Sequence, residues 1–272
     1  MLVFGLKKFN RYYCCISAWC AAHSTVILLI LLTLSLGVKS IVWFLDSGIS
    51  RDAALYLYMA QNWHDTGVLS GDKRIPTMLF CLMRGCMFLG LNAEASGILI
   101  NLLMGSWITL VGYGIALEST QSKKIALLAA VFFAFHPDIT ALSHEVQRDV
   151  PYLCLSGITA WLAIAGIRRK KWYLWAGSGA MAALAFMTRY ETMELFPLVL
   201  AALVVCVLTK LMRWKNALLY GLSFGSFFAV TLAVFIWLSG FHHVFSEYSN
   251  YYKGKFYKVT NLSEFTPEKG GE

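Results

Sequence analysis

Seven apolar runs, at about 24–45, 95–117, 125–137, 150–167, 172–188, 192–209 and 216–238, leave this chain few ways to fold. A helix that crosses a bilayer needs about 20 apolar residues, within about 17–25, and must bond its own backbone because lipid offers no partners. Runs one, two and seven meet that length outright, and runs four to six sit at its lower edge. Run three, Ile125–Pro137, is short unless it extends through Leu142 or is sheltered by its neighbours. Composition agrees with the runs. Of 272 residues, 58% are hydrophobic and 14% are charged, against about 45–50% and about 25% in a soluble domain. That balance excludes a disordered chain and a soluble enzyme. It also excludes a nucleic-acid-binding domain with a dense basic face, despite the net charge of +8. The fold class is an all-α polytopic membrane protein.

Charge orients the runs. Lys and Arg collect in cytoplasmic loops. If all seven runs cross and the N-terminus is cytoplasmic, the inside segments hold Lys7, Lys8 and Arg11, then Lys123 and Lys124, then Arg168–Lys171, then Lys210, Arg213 and Lys215. Their one acid is Glu118. The outside segments hold Asp46, Asp52, Asp65, Asp72, Asp138, Glu145, Asp149, Glu191 and Glu194, with Arg51, Lys73, Arg74, Arg84, Arg148 and Arg189 among them. Dropping run three would carry Arg168–Lys171 to the outside, so run three is kept as a span. The expectation is about seven transmembrane helices in a domain over 1–240, and an outer C-terminal tail over 241–272. The first run is too long and lacks the small-residue cleavage site of a signal peptide, so it is expected to be retained. Lys39 within it must snorkel outward or face a polar interior.

The first outer loop, 46–94, is too long for a connector. Arg51–His64 has Ala53, Tyr56, Ala60 and Trp63 at helical spacing, Gly67 and Gly71 interrupt it, and Thr77–Leu91 is apolar again. These predict two juxtamembrane helices. The second outer loop, His136–Pro151, concentrates two His, three acids and one Arg beside apolar runs, where ionisable groups are costly and mark a site by default. If His144–Asp149 is helical, Glu145 and Asp149 share a face. His136, Asp138, His144, Glu145 and Asp149 then form either a divalent-cation site or a solvated, ion-paired loop. Oxygen ligands would suit Mg or Mn, and the histidines would admit Zn. Cys81 and Cys86 lack the spacing of a metal or redox pair and are expected to be free thiols. Gly177, Gly179 and Ala180–Ala185 suit close helix packing.

Several segments resemble one family in order. Asp52-Ala-Ala-Leu-Tyr56, Met59-Ala-Gln-Asn62 and Thr66-Gly-Val68 look like the first outer loop of GT-C-class glycosyltransferases, the protein O-mannosyltransferase and aminoarabinose-transferase types. Gly90-Leu-Asn-Ala-Glu-Ala-Ser96 resembles the start of that family's second helix. Pro137…Leu142-Ser143…Asp149-Val-Pro151, then Lys171-Trp-Tyr-Leu…Leu184-Ala-Phe-Met-Thr-Arg-Tyr-Glu191 and Pro197, complete a similarity over about 46–200. The chain departs from members with an Asp-Glu pair by carrying Ala53 in the second place.

The resemblance implies transfer of a sugar from a polyprenyl-phosphate donor to a hydroxyl of an acceptor glycan, lipid or protein. Transfer would occur on the outer face of a cell-envelope membrane, the bacterial inner membrane, with inversion. Such a reaction needs a carboxylate to take the hydroxyl proton and cations to hold the departing phosphate. Asp52 is the candidate base, with an N-cap role as the alternative, and Asp46 is its rival. Arg189 is the candidate phosphate ligand, with a local pair to Glu191 or Glu194 as the alternative, and Arg148 and Arg51 are further candidates. Asp149 is carried over as a second acid, with Glu145 and His144 beside it for a metal. The chain is short for this class, so a truncated or non-catalytic partner subunit of the same fold is the competing reading. A transporter would instead place charges at the midplane on broken helices and show repeats; no repeat is visible.

Overall fold

The computed structural model describes residues 22–46, 48–69 and 75–239, with Trp19 and Ser249. The expectations on Lys7, Lys8 and Arg11, on Gly71 to Arg74 and on the tail beyond Ser239, Ser249 apart, fall outside the described residues. Among the described residues there are ten α-helices and no strand: α1 Ser24–Leu45, α2 Arg51–Thr66, α3 Met78–Phe88, α4 Ala93–Thr120, α5 Lys123–Ala134, α6 Pro137–Ser143, α7 Asp149–Arg169, α8 Trp172–Phe186, α9 Leu195–Leu208 and α10 Trp214–Ser239. A 3-10 turn, Tyr190–Glu194, leads into α9.

Helix ends follow local chemistry. Ser50 caps α2 by accepting from the Ala53 amide at 3.3 Å, and Gly67 ends it in the left-handed region at φ 73°. Asn92 caps α4 at 2.7 Å from the Ala95 amide. The two helices expected in the first outer loop are α2 and α3, and α2 buries Ala53, Tyr56, Ala60 and Trp63 together with Met59. The start of α3 is tied to the end of α8 by a backbone bond from the Met78 amide to the Met187 carbonyl, 2.8 Å. Cys81 and Cys86 are free thiols, and burial pushes the Cys81 thiol up to about 12.

Five helical segments are long and apolar enough to cross a membrane: α1, α4, α7, the Tyr190–Leu208 segment and α10. Run three does extend beyond Pro137, but as the bent pair α5 and α6, which meet at 49° and make a sixth crossing if read as one. Pro137 causes the break: it cannot continue α5, it biases His136 to an extended backbone, and it suits the first turn of α6. Lys39 sits at that break, fully buried. Its ammonium donates to Ser35 Oγ at 2.7 Å and to the Ala134 carbonyl at the end of α5 at 3.2 Å. It therefore faces a polar interior rather than snorkelling. The seventh expected span is α8, which at 15 residues falls below the usual length of about 17–25. Its helix stops at Phe186, and Arg189 takes an extended backbone, φ −149° and ψ 132°.

The bundle core follows small residues. α8 lies between α7 and α10. Gly179 abuts the Phe224 backbone so closely that a Cβ would collide with its carbonyl, and Trp175 stacks on Tyr220 with ring centroids 5.8 Å apart. At the end of the bundle formed by the α4–α5 and α7–α8 turns, buried Glu118 accepts from both Arg168 and Arg169. The opposite end carries the first loop, the α6–α7 turn and the α8–α9 turn.

Candidate functional site

Ser50, not Asp52, caps α2, which removes the capping explanation for Asp52. Asp52 stands in the first turn of α2, exposed. One turn further, at i+4, Tyr56 lies on the same face and is 5% exposed. Ser50, Arg51, Asp52 and Tyr56 line a cavity of about 250 Å³ together with Gln147 and Asp149. Asp149 arrives there because α7 begins at that residue.

Besides Arg51 in its lining, two further guanidiniums adjoin the cavity. Arg148 lies over the Tyr56 ring, 5.4 Å from its centroid, and hydrogen-bonds the Tyr56 hydroxyl. Arg189 forms an ion pair with Asp149 and a second with Glu191 at 3.2 Å, and stands 5.7 Å from the Tyr152 ring centroid. The expected Arg189–Glu191 pair is therefore present, but Asp149, forty residues away in sequence, is a partner too. Burial raises the Tyr56 phenol above its usual range, Arg148 pulls it down, and the Asp52 carboxylate pushes it up. It stays neutral near neutral pH, and its oxygen accepts from the Arg148 guanidinium.

Of the two readings of the second outer loop, the backbone favours the ion-paired one. α6 ends at Ser143 and α7 begins at Asp149, so Glu145 and Asp149 do not share a helical face. Among the described residues no group of three His, Cys, Asp or Glu side chains could hold a metal ion. His144 and Glu145 turn instead toward a separate cleft with Trp43, Ala53, Leu57 and Glu94. There His144 Nε2 is 3.6 Å from Asp46 and 3.9 Å from Glu145. His136 and Asp138 approach each other at 4.0 Å. Asp46, the rival base, is occupied with His144 and does not line the Asp52 cavity.

Of the residues singled out in the sequence, Asp52, Asp149 and Arg51 line one cavity, Arg148 and Arg189 adjoin it through Tyr56 and Asp149, and His144 and Glu145 line the separate cleft. The sequence reading assigned no role to Tyr56, Gln147 or Tyr152. The i, i+4 spacing of Asp52 and Tyr56 was the available signal for the first; nothing local marks the other two.

A helical membrane bundle with carboxylates and guanidiniums gathered at one end defines a class of lipid-embedded protein with a polar site at the bundle's rim. Residues 74–237, well over half of the chain, match the model of the dolichyl-phosphate-mannose-protein mannosyltransferase family, and the chain belongs to that family. It is a family of membrane glycosyltransferases that use lipid-phosphate-linked sugars. No curated protein matches the chain. The matched stretch includes Arg148, Asp149 and Arg189 and begins after Asp52 and Tyr56.

Proposed function

We propose that this chain transfers a sugar from a polyprenyl-phosphate donor to an acceptor hydroxyl on the outer face of its membrane, inverting the anomeric centre. The observation that carries this reading is the meeting of Asp52 and Asp149 on one cavity bordered by Arg148 and Arg189. The Asp52 carboxylate takes the acceptor proton as the hydroxyl oxygen bonds to the anomeric carbon, and the bond from that carbon to the phosphate oxygen breaks. The leaving polyprenyl phosphate gains charge, which Arg189 and Arg148 offset through charge-assisted hydrogen bonds. Asp149 and Glu191 hold the Arg189 fork in place until the phosphate competes for it.

The purified chain is expected to transfer label from a polyprenyl-phosphate sugar, tested over a panel of donors. Asp52→Asn is isosteric and cannot accept the proton. It should lower turnover by about 100-fold or more, the usual worth of a positioned base, with donor binding retained. Equal transfer by Asp52→Asn and wild type would remove Asp52 as the base. Inactivity of wild type with every donor would favour a non-catalytic partner subunit of the same fold.

A further inference from the structure

We propose that the α9–α10 hairpin holds one anionic phospholipid, with an acyl chain in the groove between the two helices and its phosphate against Lys210, Arg213 and Lys215. The argument starts from how loosely α9 packs. Only Leu203 and Cys206 are buried along its length, so the hairpin splays. A groove of about 470 Å³ opens between Leu203, Val207 and Leu208 on one side and Ala217, Leu218 and Gly221 on the other. Its volume lies within the range of about 300–1,000 Å³ found for small-molecule sites. Every residue at the groove is apolar, which fits a hydrocarbon chain and not a headgroup.

The mouth of the groove has the opposite character. Lys210, Arg213 and Lys215 are all exposed, and no Asp or Glu occurs anywhere between Leu195 and Ser239. None of the three pairs with a carboxylate among the described residues, whereas Arg168 and Arg169 at the same end of the bundle share the Glu118 carboxylate. Lys210 also holds a left-handed backbone, φ 59°, which costs any residue with a Cβ and which glycine would adopt freely. Trp214, exposed and 5.9 Å from the Lys215 ammonium, is the side chain that anchors helices at headgroup level. At about 1.5 Å per helical residue, Ala217 to Leu222 lie about 5–12 Å deeper than Trp214. The cations therefore stand at phosphate depth and the groove at acyl depth, in line with each other. Juxtamembrane lysines and arginines attract anionic lipid on simple electrostatic grounds; the adjoining groove adds a place for the tail. The site lies at the end of the bundle opposite Asp52 and is independent of the transfer reaction.

Native mass spectrometry of the full chain in neutral detergent, titrated with dioleoylphosphatidylglycerol or dioleoylphosphatidylcholine, tests this. Wild type should retain one molecule of the glycerol lipid at least about fivefold more than the choline lipid. The triple variant Lys210→Gln, Arg213→Gln, Lys215→Gln should lose that preference. Lys170→Gln with Lys171→Gln, at the neighbouring turn, should keep it. Gly221→Leu, whose Cβ meets only Leu203 at an ordinary 3.5 Å, fills the groove with every charge intact and should lower retention of both lipids. It carries the test alone if the triple variant misfolds. Equal retention of the two lipids by wild type, wild-type preference in the triple variant, an equal loss in the Lys170, Lys171 variant, or undiminished binding to Gly221→Leu would each overturn the proposal.

Discussion

At the residue scale the informative side chain is Tyr56. It sits one helical turn from Asp52, it is buried, and its hydroxyl meets the Arg148 guanidinium. Burial holds the phenol protonated, so it can orient Arg148 without adding a charge to a cavity that already carries two carboxylates. Tyr56→Phe keeps the ring beneath Arg148 and removes only the oxygen. A hydrogen bond to a charged group is worth about 1.5–3 kcal/mol, so transfer should fall about 10- to 100-fold while the fold persists. The same substitution has a signature in stability. A raised phenol pKa stabilises the fold below the unfolded value of about 10, and that contribution is lost as pH rises through the folded value. Melting of the wild type should therefore drop more steeply above about pH 10 than melting of Tyr56→Phe. Parallel alkaline limbs in the two proteins would show that Tyr56 is not desolvated as described.

At the element scale, small residues decide how α7, α8 and α10 pack. Gly179 faces the Phe224 carbonyl across the α8–α10 contact with no room for a Cβ, whereas a Cβ at Gly177 would meet Leu162 at an ordinary 3.4 Å. Backbone cannot swing aside as a side chain can, so Gly179→Ala must part the two helices. It should destabilise the protein by about 1–3 kcal/mol, the usual cost of overpacking, while Gly177→Ala should be close to neutral. Thermal melting in detergent, followed by size-exclusion, measures both. This contrast was only half legible in the sequence. A Gly-x-Gly run announces close packing, but which glycine meets backbone depends on the rotation of α8 against a helix forty residues on. The same limit explains the site. Apolar runs are local signals, and they placed the helices within a few residues. The break at Pro137 was written in one residue, yet its consequence, that Glu145 and Asp149 part company, depends on where the next helix starts. The Asp149–Arg189 pair could be guessed only as two charges at the same end of neighbouring runs.

At the scale of the whole molecule, two ion-pair groups fix the ends of the bundle and bear on how many times the chain crosses. Glu118 with Arg168 and Arg169 lies at one end, and Asp149 with Arg189 at the other. α7 runs between them over 21 residues, about 31 Å at ~1.5 Å per residue. α8 starts beside Arg169 with only 15 helical residues, about 22 Å, yet Arg189 reaches Asp149 at the far end. Met187 keeps a helical backbone and the Thr188 and Arg189 amides still bond to the Ala185 carbonyl, so this last turn, the single extended residue Arg189 and its long side chain supply the rest. A short helix with a less regular end can traverse because α7 and α10 flank it, and backbone at that depth is tolerated where protein covers it. The chain is therefore expected to cross at α8, and the basic turns to lie in the cytoplasm. Alkaline phosphatase, active only outside, should be active when fused after Gln147 or Thr192 and inactive after Gln121, Lys170 or Arg213; a fluorescent protein that matures inside should give the complement. Reporters at Lys170 and Thr192 on the same side would remove α8 as a crossing, and complete inversion of the pattern would place Asp52 and Arg189 on the cytoplasmic face.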